Sequence, residues 1–256
     1  TAGIPLFPSP GNHDASDSFL HERKFYEKSW LEEAWLGRLA DFQWVPGVEQ
    51  KFPFSYAFYI GPSLFVSLDS NAVQPISSSE FNWLRHILEI SRDKPFKFIF
   101  GHVPLLPFAF GRENEFLALR DRSSARKVEE LLEEFKVSAY FSGHHHVFYP
   151  GRRKTSTQFI SVPLLGSGPR VLINNLGDKT LSRRGFLIVE YEIGKTWSLK
   201  CLASDTLEEL TLTNFPPSID VPVKNTSQCP SCSRFPSNLF IDLTKRRLFL
   251  RADIPD

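Results

Sequence analysis

The sequence predicts a layered α/β architecture, and three observations carry that expectation. Short apolar runs alternate with segments of helical periodicity from residue 4 to about residue 142. Beyond that point only strand-like segments follow. Hydrophobic residues make up 41% of the 256, with 24 Phe, which is ample for a buried core and too much for a disordered chain.

Ile4 to Phe7 reads as the end of a strand, stopped by Pro8-Ser-Pro-Gly11. From Ser18 to Leu39 a helix is expected, because Phe19, Tyr26, Trp30, Leu31, Trp35 and Leu39 recur mostly three to five positions apart. Ser55 to Ile60 and Ser63 to Leu68 form a hairpin pair turned at Gly61-Pro62, and the second strand ends in Asp69-Ser70-Asn71. Ser77 opens the next helix as a capping residue three positions before Glu80, with Phe81, Leu84, Ile87 and Leu88 as its buried stripe. Lys97 to Phe100 is a buried strand running into Gly101-His102. A helix from Ser124 to Phe135 turns Val128, Leu131, Leu132 and Phe135 inward, and the strand Val137 to Ser142 follows. Later strands are expected at Phe159 to Val162, Gly185 to Tyr191, Trp197 to Ala203 and Leu210 to Leu212. Residues 214–238, rich in Pro, Ser and Asn, read as a loop before a last strand pair around Phe240 and Leu248. This gives a main domain over 1–213 and an extension over 214–256.

Lysine and arginine (30) nearly balance aspartate and glutamate (29), so no dedicated nucleic-acid or anionic-membrane surface is evident. No run reaches the ~18 apolar residues of a membrane span. The chain contains no methionine, so an upstream segment is expected to have been removed or left out. Cys229-Pro-Ser-Cys232 reads as a disulfide or free thiols more readily than as half of a zinc site. Together with the sequon at Asn225 it tilts the expected location toward secreted or periplasmic rather than cytoplasmic.

Three motifs share one design, a glycine at the end of an apolar strand followed by metal-competent side chains: Gly11-Asn12-His13-Asp14, Gly101-His102 and Gly143-His144-His145-His146. Five of the seven histidines fall within them. Neutral imidazole is the commonest metal ligand, and strand ends are where the loops of α/β proteins gather their functional groups. His21 and His86 lie on expected helices and read as ordinary surface or core-edge histidines.

In these residues the sequence resembles the calcineurin-like metallophosphoesterases. Their pattern runs Asp-x-His, Gly-Asp-x-x-Asp, Gly-Asn-His-Asp/Glu, Gly-His and Gly-His-x-His, and residues 11–14, 101–102 and 143–146 match the last three blocks in order. The first two blocks are absent, so the resemblance implies a layered metallophosphoesterase-type β-sandwich flanked by helices, N-terminally incomplete by about 60 residues or more at ~30 per strand–helix–strand unit. It also implies that Asn12, His102 and His144 hold one metal, that His146 holds another, and that His13 donates to the phosphate or leaving oxygen with its ring fixed by Asp14. His145 occupies the variable position between two ligands.

The implied activity is hydrolysis of a phosphate ester by two divalent or trivalent ions (Mn, Fe or Zn), with metal-bound hydroxide as nucleophile and a phosphorylated small molecule or other phosphoester as substrate. The missing blocks leave one ion or none expected in this chain. They keep open a second reading, a non-catalytic binding or scaffold protein on the same fold. Arg112, Arg120, Arg122 and Arg152-Arg-Lys154 follow ligand motifs and read first as solvated loop charges, second as substrate-steering groups. Asp69 and Asp121 lack the spacing of the missing carboxylates.

Overall fold

The computed structural model describes residues 6–15, 20–31, 42–70, 76–105, 122–151, 157–163, 184–192, 196–210, 241–242 and 247–248. The chain separates into two units, residues 1–221 and 222–256.

The first unit is organised on a six-stranded mixed sheet in simple sequence order: β1 (Phe42–Trp44), β2 (Tyr56–Ile60), β3 (Ser63–Leu68), β4 (Phe96–Gly101), β5 (Ala139–Ser142) and β6 (Gln158–Ser161). The first three strands pair antiparallel and the last four parallel. β2 and β3 meet through the two residues Gly61-Pro62, with Gly61 at φ +55°, the positive value a two-residue hairpin turn demands at its first central position.

Parallel neighbours need crossover connections, and helices supply them. α2 (Ser78–Ile90) links β3 to β4, and α3 (Arg122–Glu134) lies between β4 and β5. α2 starts where its cap was expected: the Ser77 hydroxyl accepts the Glu80 N–H. Its residues Leu84, Ile87 and Leu88 join Val128, Leu131, Leu132 and Phe135 against Leu64, Val66, Leu68, Ile99 and Tyr140 of the sheet.

The opposite face is nearly all aromatic. Strand alternation sends Phe96 and Phe98 to one side and Lys97 and Ile99 to the other. In-register pairing then builds a row across the sheet: Phe7 on Phe58 (4.2 Å), Phe58 on Phe65 (5.4 Å), Phe65 against Phe98 (5.5 Å). A hairpin of β7 (Gly185–Tyr191) and β8 (Trp197–Ala203) covers the β3–β6 side of this face with Leu187, Val189, Tyr191, Trp197 and Leu199. The abundance of Phe is therefore structural. The second unit contains the short pair β9 (Ile241–Asp242) and β10 (Arg247–Leu248).

Several expectations need correction. α1 spans Leu20–Leu31 and buries only Tyr26, while Leu20, Phe25 and Leu31 are exposed. Phe19, Trp35 and Leu39 of the expected stripe lie outside the described residues. Leu6 and Phe7 are not strand, although Phe7 packs on the sheet. The β1 edge strand was not foreseen, because three residues are too few to show an alternation. Leu210 is not strand, a bridge pairs the preceding Glu209 with Leu202, and the rest of the strand expected at 210–212 lies outside the described residues. Asn225, Cys229, Cys232, Arg112, Arg120, Asp121 and Arg152-Arg-Lys154 also lie outside the described residues.

Candidate metal centre

Register decides what the strand ends place together. Leu68 pairs with Gly101, and Gly101 with Ser142, so β3, β4 and β5 finish level with one another. The residues just beyond them, Asp69 and Ser70, His102, and Gly143 and His144, therefore emerge on one rim. The Gly143 N–H donates to the His102 carbonyl at 3.0 Å, tying two of the loops directly.

The third glycine motif reaches the rim without strand pairing. Asp14 and Ala15 N–H groups both donate to the Gly11 carbonyl (3.1 and 2.9 Å), curling residues 11–15 into a tight turn. Upstream, the Pro8 carbonyl is held by the Tyr56 hydroxyl at 2.6 Å. Downstream, Arg23 of α1 donates to the Ala15 carbonyl at 3.2 Å, pairs with Asp69 at 2.7 Å and lies 4.0 Å from the centre of the Phe54 ring. Asp69 is thus committed to a guanidinium.

Two glycines make room for His102. A Cβ on Gly11 would fall 3.2 Å from His102 Nδ1 and 2.8 Å from the Asp14 carboxylate, and one on Gly143 would fall 3.3 Å from the same ring nitrogen. Real Cβ contacts are seldom that close, so the imidazole is clamped between two bare backbones.

Within this setting Asn12, His102 and His144 converge. Asn12 Oδ1 is 2.6 Å from His102 Nε2 and 3.3 Å from His144 Nδ1, and the two ring nitrogens are 3.2 Å apart. Ligand atoms around a dication with bonds of about 2.0–2.2 Å stand about 3.0–3.5 Å from one another. Two edges of this triangle already have that length; the third is a hydrogen bond that a metal would replace. The donor set of one amide oxygen and two imidazoles fits one ion of the Mn, Fe or Zn kind. Among the described residues no group of three or more His, Cys, Asp or Glu is arranged to hold a metal, because the third corner here is an amide and no carboxylate joins it.

The electrostatics agree with a ligand role. Burial, then the neighbouring His144, His13 and His146, push His102 down to about 3, so it is neutral and keeps a lone pair at ordinary pH. His144 is buried at 9% exposure with φ +63°, and His146 is half-buried with φ +53°. Left-handed backbone at two residues without glycine is strained, and such strain gathers at functional sites. His146 lies outside the triangle, close enough to His102 to depress its basicity.

His13 is exposed beside the triangle. Asp14 is exposed as well, and its carboxylate lies close to Gly11. His145 is fully buried, and His21 and His86 are exposed on their helices. Sequence reasoning missed Arg23, Ser70 and Tyr140. Ser70 had a visible signal, since it follows an apolar strand in the same way as the glycine motifs, but without a glycine to mark it.

The chain belongs to the calcineurin-like phosphoesterase family, whose model matches residues 1–148. That family hydrolyses phosphoesters at a dimetal centre in general. Solved structures similar to it include a purple acid phosphatase, PPD1, from yellow lupin (Lupinus luteus) seeds, 15% identical, with a TM-score of 0.49 over 65% of this chain and 33% of that one. GAP50, the anchor in the inner membrane complex of Plasmodium, is 18% identical, with a TM-score of 0.43 over 61% and 51% of the two chains. A dimetal phosphatase from Danio rerio is 22% identical, with a TM-score of 0.30 over 38% and 29%. The chain thus spans between about a third and a half of these proteins' own lengths. No curated protein matches it. Among the described residues no helix is long and apolar enough to cross a membrane.

Proposed function

We propose that this rim is one metal's part of a phosphoester-hydrolysing centre, and that the protein is a metal-dependent phosphoesterase. The observation that carries the reading is the convergence of Asn12 Oδ1, His102 Nε2 and His144 Nδ1 at spacings near those of a ligand shell. An ion held there supplies Lewis acidity, polarising a phosphoryl oxygen and lowering the pKa of a bound water from about 15.7 toward 7. His102 contributes a lone pair because burial keeps it unprotonated. Asn12 contributes its amide oxygen from within the Gly11–Ala15 turn. On this reading His13, exposed and near enough to His102 to lower its basicity, gives a proton from its imidazole N–H to the leaving oxygen. His146, to one side of the triangle, is the candidate ligand for a second ion. The substrate on this reading is a phosphoester.

The test combines metal analysis with a panel of phosphomonoesters and phosphodiesters. Stoichiometric Mn, Fe or Zn and turnover that EDTA abolishes are expected. A protein without hydrolytic activity after reconstitution with each ion refutes the enzyme. One observation favours a second reading, a binding or scaffold protein: all three converging donors are neutral, so nothing in the triangle offsets a dication's charge. Metal bound without turnover would support that reading.

A further inference from the structure

We infer that Tyr140 and Ser70 are positioning residues for His102, a buried two-hydroxyl brace that sets where the imidazole stands; the inference rests on the ligand role proposed above. Val103, the residue after His102, has both backbone polar groups held by side chains from neighbouring strands. Its N–H donates to Ser70 Oγ at 3.2 Å, and its carbonyl accepts from the Tyr140 hydroxyl at 2.9 Å. The His102 carbonyl accepts from Gly143 N–H at 3.0 Å. Three consecutive backbone groups of the His102 turn are thus tied to β5, to the loop after β5, and to the end of β3.

The brace is buried. Tyr140 is 1% exposed and Ser70 4%, and burial raises the phenol's pKa, so it remains a hydrogen donor at any working pH. Gly101 shows how closely it is fitted. A Cβ there would collide with the Tyr140 hydroxyl and lie 2.9 Å from Ser70 Oγ, so the residue before His102 must be glycine for both hydroxyls to reach Val103. Gly11 and Gly143 clamp the ring from the sides, while Tyr140 and Ser70 fix the backbone beneath it. A ligand must be held within a fraction of an ångström to bind well, and loss of groups that orient ligands typically weakens metal affinity 10–100-fold.

The core supplies its own control. Tyr59, a second buried tyrosine, shares a hydrogen bond of 2.8 Å with Ser91, between β2 and the end of α2. Tyr140→Phe and Tyr59→Phe each delete one such hydroxyl, and both should lower the melting temperature by a similar few degrees. Only Tyr140→Phe should raise the Zn²⁺ dissociation constant, by about tenfold or more. It should also speed amide exchange at Gly143 in the metal-free protein at least tenfold over Tyr59→Phe. If Tyr140→Phe does not fold, Ser70→Ala carries the same two expectations.

Equal effects of the two tyrosine variants on zinc affinity and on Gly143 exchange would overturn the positioning role, leaving Tyr140 as ordinary core. If wild-type protein binds none of Zn²⁺, Mn²⁺ and Fe²⁺, the proposed function fails, and the exchange comparison still decides whether the brace holds the His102 turn.

Discussion

His102 gives the pH dependence that can be worked through from the structure. Its imidazole is held down to about 3 by burial and by three neighbouring histidines, whereas in the unfolded chain it titrates near 6.5. The unfolded chain therefore takes up a proton as pH falls through 6.5, and the folded chain does not until about 3, so acid favours unfolding across that window. At pH 5.0 the unfolded form gains about 2 kcal/mol relative to pH 7.5. The figure is set almost entirely by the unfolded value, because the folded group is neutral at both pH values. Urea denaturation of EDTA-treated protein at pH 7.5, 6.0 and 5.0 measures it, alongside His102→Gln, which is neutral throughout. Between pH 7.5 and 5.0 the wild type should lose about 2 kcal/mol more than the variant, a relative shift of about 1 M in urea midpoint. Parallel pH profiles for the two proteins would show that His102 is not held neutral in the folded state.

His144→Ala should lower bound metal below the wild-type stoichiometry, read by elemental analysis after dialysis, because it removes one of three converging donors. His13→Ala should leave metal content nearly intact and slow phosphoester turnover by ~10²-fold or more, since its exposed ring lies outside the triangle; unchanged turnover would take His13 out of the mechanism. Arg23→Ala should destabilise by about 2–3 kcal/mol in urea melts, leaving the Asp69 carboxylate without its guanidinium and Phe54 without its cation. Adding Asp69→Asn to that variant should restore part of the loss. Gly143→Ala should cost little stability but weaken zinc binding, because its Cβ meets the His102 ring at 3.3 Å, where a shift of a few tenths of an ångström suffices.

How far the fold was legible differs from element to element. α2 could be read from its cap and stripe, because Ser77, Leu84, Ile87 and Leu88 act through neighbours three and four residues away. α1 was harder. Aromatic and aliphatic residues at helical spacing announce a helix but not how much of it is covered, and Leu20, Phe25 and Leu31 remain exposed. The donors could be read because each follows a glycine at the end of an apolar run, a signature confined to two or three residues. Ser70, Tyr140 and Arg23 carry no such mark. Serine and tyrosine at strand ends are ordinary core-edge residues, and their partners lie 33, 37 and 46 positions away in the chain.

The division has a physical basis. Alternation, capping and glycine turns act over a few residues, so the chain by itself specified β2 to β8, the two crossover helices and the candidate donors Asn12, His102 and His144. Whether those donors would meet depended on pairing across the sheet, which sets Leu68, Gly101 and Ser142 level with one another. A shift of one residue in any of those pairings would turn every side chain to the other face and scatter the rim. Only the tertiary structure fixed that register, and with it the triangle, the glycine clamp on His102 and the hydroxyl brace beneath it.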